Sequence, residues 1–261
     1  MPEDKGFLKS RLEKLGYRVS RKLGQGAQAC VYLVQYEGVF LACKVSESAE
    51  VLSREGDVLK KVHHPGIPRY IKFSRYDWGA VLLMEYVEGI NMKEYLRQGT
   101  ILKVTQVLDW GEELAEILCA LHDMEGTVIY RDLKPENIIV RPDGRLKLVD
   151  LGCACTRKQT AFSMGGTPGY ASPEQLEKYE QLSERSDVYA WGAVMNEILE
   201  GCRCRSFREY SLIRKVKKIA CRCIKSEVYD RPIGMRQVIQ ELAVQMLRKS
   251  LQKIKCKSHK S

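Results

Sequence analysis

Residues 130–137 read Tyr-Arg-Asp-Leu-Lys-Pro-Glu-Asn, and thirteen residues after Asn137 the chain reads Asp150-Leu151-Gly152. The two runs set a carboxylate able to take a proton (Asp132), an ammonium able to neutralise a phosphate (Lys134) and two oxygen donors suited to a divalent cation (Asn137, Asp150) at fixed intervals. Taken singly, each would read as part of a polar turn or as a solvent-facing side chain. Eight ordered positions seldom coincide by chance, and few chemistries need this spacing.

The pattern around these runs changes along the chain. Residues 17–46 have short apolar runs split by Gly-rich turns, which predicts a strand meander. Residues 49–62 place Val51, Glu55, Val58, Leu59 and Val62 at helical spacing, with His64-Pro65-Gly66 ending the helix because Pro cannot continue it. Strands are expected at 69–73 and 80–87. From residue 91 helices dominate: 104–122 carries Val107, Trp110, Leu114, Ile117, Leu118 and Leu121 on one face, 187–199 is strongly apolar, and 208–224 and 235–250 are also periodic. Strands followed by helices predict an α+β fold, divided as a β-rich part over 1–87, a helical part over 88–248 and a basic tail over 249–261.

With 261 residues and 44% hydrophobic residues, the chain can bury a substantial core. It has no run of eighteen apolar residues, and its charged N-terminus lacks a secretory core, so a cytoplasmic location is expected. The alternative is the cytosolic part of a membrane-anchored protein. The formal net charge of +10 sits largely in 214–218 and 248–260. It reads as a solvated helix face and tail, with no specific nucleic-acid role, since the tail has no interleaved aromatics, and with membrane contact only through that tail. Six of the ten cysteines form Cys-x-Cys pairs (153/155, 202/204, 221/223). They lack the Cys-x2-Cys and histidine spacing of zinc sites, and reduced thiols are the expected state. Oxidation of Cys153 or Cys155, so close to Asp150, would disturb its surroundings.

The whole pattern resembles the eukaryotic-like serine/threonine protein kinases, in a compact bacterial style, over roughly residues 17–245. The resemblance implies a two-lobed protein-kinase-like fold, ATP and Mg²⁺ (or Mn²⁺) as cofactors, a protein substrate with a Ser/Thr acceptor, and a homodimer for trans-autophosphorylation. Gly24, Gln25, Gly26 and Val31 would form the phosphate-covering loop, with Ala29 where the family has its third glycine. Lys44 would pair the α- and β-phosphates and Glu55 would pair Lys44. Glu85 and Val87 would bind the adenine edge, Met84 would close the back of the pocket, and Ala42, Val31 and Ile139 would sandwich the ring. Asn91 would touch the ribose.

Asp132 is the implied catalytic base, Lys134 the charge on the transferring phosphoryl group, and Asn137 and Asp150 the metal-holding residues. A lysine two residues after the base is typical of the serine/threonine branch. Tyr130 and Leu151 replace the family's His and Phe in apolar stacking roles. Arg131 would take a phosphate on the activation segment, where Thr160 and Ser163, and less readily Thr156, are the acceptors. In the run Gly-Thr-Pro-Gly-Tyr-Ala-Ser-Pro-Glu, Thr167 would bond near Asp132, Glu174 would pair with Arg231, and Asp187 would brace the loop from below. Only thirty residues separate Gly201 from Arg231, so a helix of the family pattern is expected to be shortened or missing there. The competing readings are a catalytically weak pseudokinase scaffold and a small-molecule phosphotransferase. The intact Lys44, Glu55, Asp132, Asn137 and Asp150 oppose the first, and the run 166–174 opposes the second.

Overall fold

The computed structural model describes residues 5–26, 28–157, 166–177 and 182–245. They divide into two compact units, Met1–Glu88 with Val149–Gly152, and Gly89–Leu148 with Cys153–Ser261.

The first unit is a five-stranded antiparallel sheet with two helices. Helix α1 (Lys5–Lys14) is followed by β1 (Arg18–Gln25), β2 (Cys30–Tyr36), β3 (Val39–Ser46), α2 (Ala49–Lys61), β4 (Tyr70–Tyr76) and β5 (Gly79–Glu85), in sheet order β1-β2-β3-β5-β4. Strand register assigns the faces. Val31 lies opposite Lys44, Leu33 opposite Ala42, Ala42 opposite Met84 and Lys44 opposite Leu82, so these side chains share one face. The alternate positions, Cys30, Tyr32, Val34, Leu41, Cys43, Val45, Val81 and Leu83, form the apolar cluster of the other face with Leu12 of α1 and Tyr17. Helix α1 went unread in the sequence, since Phe7, Leu8 and Leu12 are its only large apolar residues; Leu12 is fully buried.

Helix α2 ends at Lys61, one residue before the expected end, with Val62 extended at ψ 131°. Its buried face also differs from expectation. Ala49, Leu52, Glu55, Gly56 and Leu59 point inward, while Val51 and Val58 lie at the margins. Gly56 allows close approach to β5 and β4, because a Cβ there would stand 3.5 Å from Leu82 Cδ1 and 3.8 Å from Phe73 Cβ.

The second unit contains β6 (Ile90–Asn91), α3 (Met92–Arg97), α4 (Val104–His122), β7 (Val128–Ile129), β8 (Ile138–Val140), β9 (Leu146–Leu148), β10 (Cys155–Thr156), α5 (Pro173–Leu176), α6 (Glu184–Glu200), α7 (Phe207–Cys223) and α8 (235–245). A three-stranded sheet in order β6-β8-β9 and a β7–β10 pair hold the loops between helices. These strands of two or three residues are too short to show alternation, so the sequence did not reveal them. The core is helical: Trp110, Leu114, Ile117 and Leu118 of α4 and Val188, Trp191, Val194, Met195 and Ile198 of α6 are essentially inaccessible to solvent. Between α6 and Arg231, α7 is the sole α-helix, in line with the expected shortening of this region. This is the anticipated α+β fold.

Candidate active site

Two constellations form, one in each unit. In the first, Lys44 on β3 extends from the sheet face it shares with Ala42, Val31 and Met84. Its Nζ donates to Glu55 Oε2 at 2.6 Å and to Asp150 Oδ1 at 2.7 Å. Burial alone would push Lys44 down, but Glu55 and Asp150 outweigh it and hold the ammonium above the ordinary lysine range, charged at neutral pH. Burial pushes the Glu55 carboxyl up while Lys44 pulls it back. Among the described residues Glu55 Oε1 has no hydrogen-bond partner.

Asp150 is held in the left-handed region at φ 63°, a conformation that costs on the order of 1–3 kcal/mol for a non-glycine residue. Its Oδ1 also accepts the Gly152 N–H at 3.2 Å. Space at Gly152 is tight: a Cβ there would stand 3.1 Å from Asp150 Oδ1, 3.2 Å from Lys44 Nζ and 3.4 Å from Glu55 Oε2. Leu151 is buried.

The remaining first-unit residues lie at the strand ends. Gly24 has open space where a Cβ would stand, and Gly26 donates to Ala29 O at 2.9 Å to close the turn. The Gln25 side chain accepts from Lys22. Met84 and Ala42 are buried and directly opposite on β5 and β3. Glu85 ends β5, with its N–H donated to Arg69 O at 2.9 Å. Val87 follows, half-buried.

In the second unit Asp132 is the hub. Its Oδ1 accepts from Thr167 Oγ1 at 2.9 Å and its Oδ2 from Lys134 Nζ at 2.8 Å, while Lys134 also donates to Thr167 Oγ1 at 2.9 Å. Asn137 Nδ2 donates to Asp132 O at 2.9 Å and Asp132 Oδ2 at 3.1 Å. Two acceptors beside one end of the amide fix its orientation, and the carbonyl Oδ1 stays available.

The loop is pinned from beneath. Asp187 accepts the N–H of Tyr130 at 2.7 Å and of Arg131 at 2.8 Å, and its Oδ2 lies 2.8 Å from His122 Nε2. Gln175 Nε2 donates to Arg131 O at 2.9 Å. Bonds on both sides of Arg131 hold its φ at 73° against the strain of that region. The Arg131 guanidinium, implied as a phosphate receptor, is buried and donates to Cys155 Sγ at 3.5 Å; an incoming phosphate would have to displace that contact. Arg231 and Glu174 form a two-pronged pair at 2.7 and 2.8 Å, joined by Ser186 Oγ at 2.9 Å from Glu174 Oε1. Desolvation raises Glu174, but the Arg231 bonds outweigh it and hold the carboxyl below its usual range.

Asn91 caps α3, its Oδ1 accepting the Glu94 N–H at 2.9 Å, so that oxygen is committed to the backbone. Thr156 is part of β10, paired with Val128. Ile139 lies on β8 opposite Asn91 and Lys147. Thr160, Ser163 and the basic tail lie outside the described residues. Sequence reasoning missed Gln175, His122, Ser186 and the Tyr170–Glu197 hydrogen bond of 2.6 Å. For Gln175 a signal existed, since Ser172-x-x-Gln175 is a capping-box spacing.

The residues present suit a nucleotide and a hard cation. The carboxylate of Asp150 and the amide oxygen of Asn137 are oxygen donors, and Lys44 presents a fixed cation. Among the described residues no three or more His, Cys, Asp or Glu side chains converge to form a metal cage. No described helix is long and apolar enough to cross a membrane.

The protein kinase domain family model matches residues 17–255. The chain is 34% identical over 71% of its length to the serine/threonine-protein kinase pkn2 of Myxococcus xanthus, covering 24% of that protein. It is 29% identical to the serine/threonine-protein kinase PrkC of Bacillus subtilis, over 71% of this chain and 30% of that protein. It is 34% identical to the putative serine/threonine-protein kinase PRKY of Homo sapiens, over 69% of this chain and 67% of that protein. The matched region thus spans about a quarter to a third of the bacterial relatives.

Proposed function

The chain belongs to the protein kinase family, and on that premise we propose that it transfers the γ-phosphoryl group of ATP to serine or threonine hydroxyls of a protein. The observation that carries the reading is the Asp132 hub, with Thr167 on one carboxylate oxygen and Lys134 on the other. Asp132 accepts or orients the proton of the acceptor hydroxyl. Lys134 supplies positive charge where the phosphoryl group transfers. Lys44, kept charged by Glu55 and Asp150, takes the α- and β-phosphates, and Gly24, Gln25, Gly26 and Val31 cover them. Ala42, Met84, Glu85, Val87, Asn91 and Ile139 take the nucleoside. Asn137 and Asp150 would hold Mg²⁺, or Mn²⁺ in its place, which would neutralise charge on the phosphates. Autophosphorylation of the activation segment, through a second copy, belongs to the same proposal.

The test is incubation of the chain with Mg²⁺, γ-labelled ATP and a generic basic protein. Label is expected in the basic protein, in the chain itself, or in both. Asp132→Asn is expected to abolish transfer while ATP still binds. Nucleotide binding without transfer to either acceptor in the unsubstituted chain would instead identify a pseudokinase scaffold.

A further inference from the structure

We propose that the outward face of α7 and the segment leading into it form a docking site for an acidic segment of the protein substrate that carries apolar side chains. Helix α7 turns Leu212, Val216, Ile219, Ala220 and Cys223 inward. Its fit against α6 is tight: a Cβ on Gly192 would stand 2.6 Å from Cys223 Cβ and 2.8 Å from Ala220 O. That packing fixes the rotation of α7 and directs Phe207, Tyr210, Arg214, Lys217 and Lys218 outward, at the spacing of one helical stripe.

Phe207 is 87% exposed and Tyr210 54% exposed, an unusual cost at the head of a basic helix. Over residues 203–218 there are seven Arg or Lys and one carboxylate, Glu209. Glu209 is engaged locally, Oε2 accepting the Arg205 N–H at 2.6 Å. Among the described residues Arg203, Arg205, Arg214, Lys215, Lys217 and Lys218 have no carboxylate partner. The surface thus has two apolar anchors in its first turn and uncompensated positive charge along the rest. Its complement is a segment with apolar side chains beside a run of Asp and Glu.

Two other anionic partners fit less well. A membrane surface needs an apolar helix face turned outward, and that of α7 is spent on α6. Single-stranded nucleic acid needs aromatics interleaved along its track, whereas here both stand at one end.

That the occupant is a substrate rests on the kinase reading; the binding surface does not, and it is measured without ATP. The probe is a short fluorescein-labelled peptide with two leucines flanked by aspartates and glutamates, followed by anisotropy with the full chain. The variants are Arg214→Glu/Lys217→Glu/Lys218→Glu, Phe207→Ala/Tyr210→Ala, and Lys72→Glu as a charge control on β4. All replace exposed side chains and leave the fold intact. Charge reversal is expected to weaken binding at least about tenfold, and aromatic removal several-fold. The Lys72 variant is expected to match the unsubstituted chain. In a transfer assay the same segment fused to an acceptor is expected to lower KM, and charge reversal to abolish that gain with kcat unchanged. Equal affinity across all variants would overturn the proposal. So would stronger, α7-dependent binding of an oligothymidylate or of phosphatidylglycerol vesicles, each naming a different partner.

Discussion

Asp187 Oδ1 accepts the backbone N–H of Arg131 at 2.8 Å, and Arg131, held at φ 73°, is the residue immediately before Asp132. A fully buried carboxylate on α6 thereby fixes the backbone that aims the proposed base. Removing it would leave the Tyr130 and Arg131 N–H groups without their acceptor, at about 1–3 kcal/mol for each buried donor. Asp187→Ala is therefore expected to lower unfolding free energy by roughly 3–5 kcal/mol in urea titration. Asp187→Asn keeps one accepting oxygen and is expected to cost less. Both are expected to reduce kcat while nucleotide binding at the first-unit residues persists.

This bracing was legible in outline. The spacing from Asp132 to Asp150, and the resemblance built on it, named Asp187, Thr167, Glu174 and Arg231 in advance, because each is a distinctive residue type in a recognisable run. Gln175 and His122 were not named, since one amide and one histidine acquire meaning only when the chain brings them to Arg131 and Asp187. The phase of α2 was misread for another reason. Val51 and Val58 look like core residues by composition, yet the helix turns about Glu55, and the space against β5 is filled through Leu52, Gly56 and Leu59. Helix α1 was invisible because a single turn-spaced apolar row suffices to cover the second face of the sheet.

Lys44 and Glu55 are unequal partners. Lys44→Met would strand a buried carboxylate whose Oε1 already lacks a partner and would release Asp150. It is expected to cut kcat/KM by about 10²–10³. Glu55→Gln leaves Lys44 its bond to Asp150 and is expected to cost less than Lys44→Met. Steady-state transfer assays at saturating and limiting ATP separate the two, and equal losses would contradict the asymmetry.

Glu174 and Arg231 make stability depend on pH. The folded carboxyl titrates below its unfolded range because the Arg231 bonds outweigh desolvation. Its contribution is therefore present above the unfolded carboxyl pKa, about 4.3, and is lost as pH falls through the lower folded value. Breaking a buried pair costs about 3–5 kcal/mol, so Glu174→Gln is expected to lose stability of that order at neutral pH. The gap between the two proteins should shrink as pH falls below about 4. Denaturant midpoints for both across that range check the sign; a gap that widened in acid would reverse it.

Gly192 sets how closely α6 and α7 pack. An alanine Cβ there would meet Cys223 Cβ at 2.6 Å, Ala220 O at 2.8 Å and Ile224 Cγ2 at 3.0 Å. Two of these atoms belong to backbone or to a Cβ, which cannot swing aside, so the helices must separate. Overpacking of this kind costs about 1–3 kcal/mol, occasionally more, enough to outweigh the gain of about 0.8–1.0 kcal/mol from replacing a helical glycine by alanine. Gly234→Ala serves as the comparison, because no atom lies within 4 Å of its Cβ position. Thermal unfolding is expected to show Gly192→Ala several degrees below the unsubstituted chain and Gly234→Ala unchanged. Since α7 presents Phe207 and Arg214, Gly192→Ala is also expected to weaken the acidic peptide at temperatures where the chain remains folded, with no substitution on the outward face.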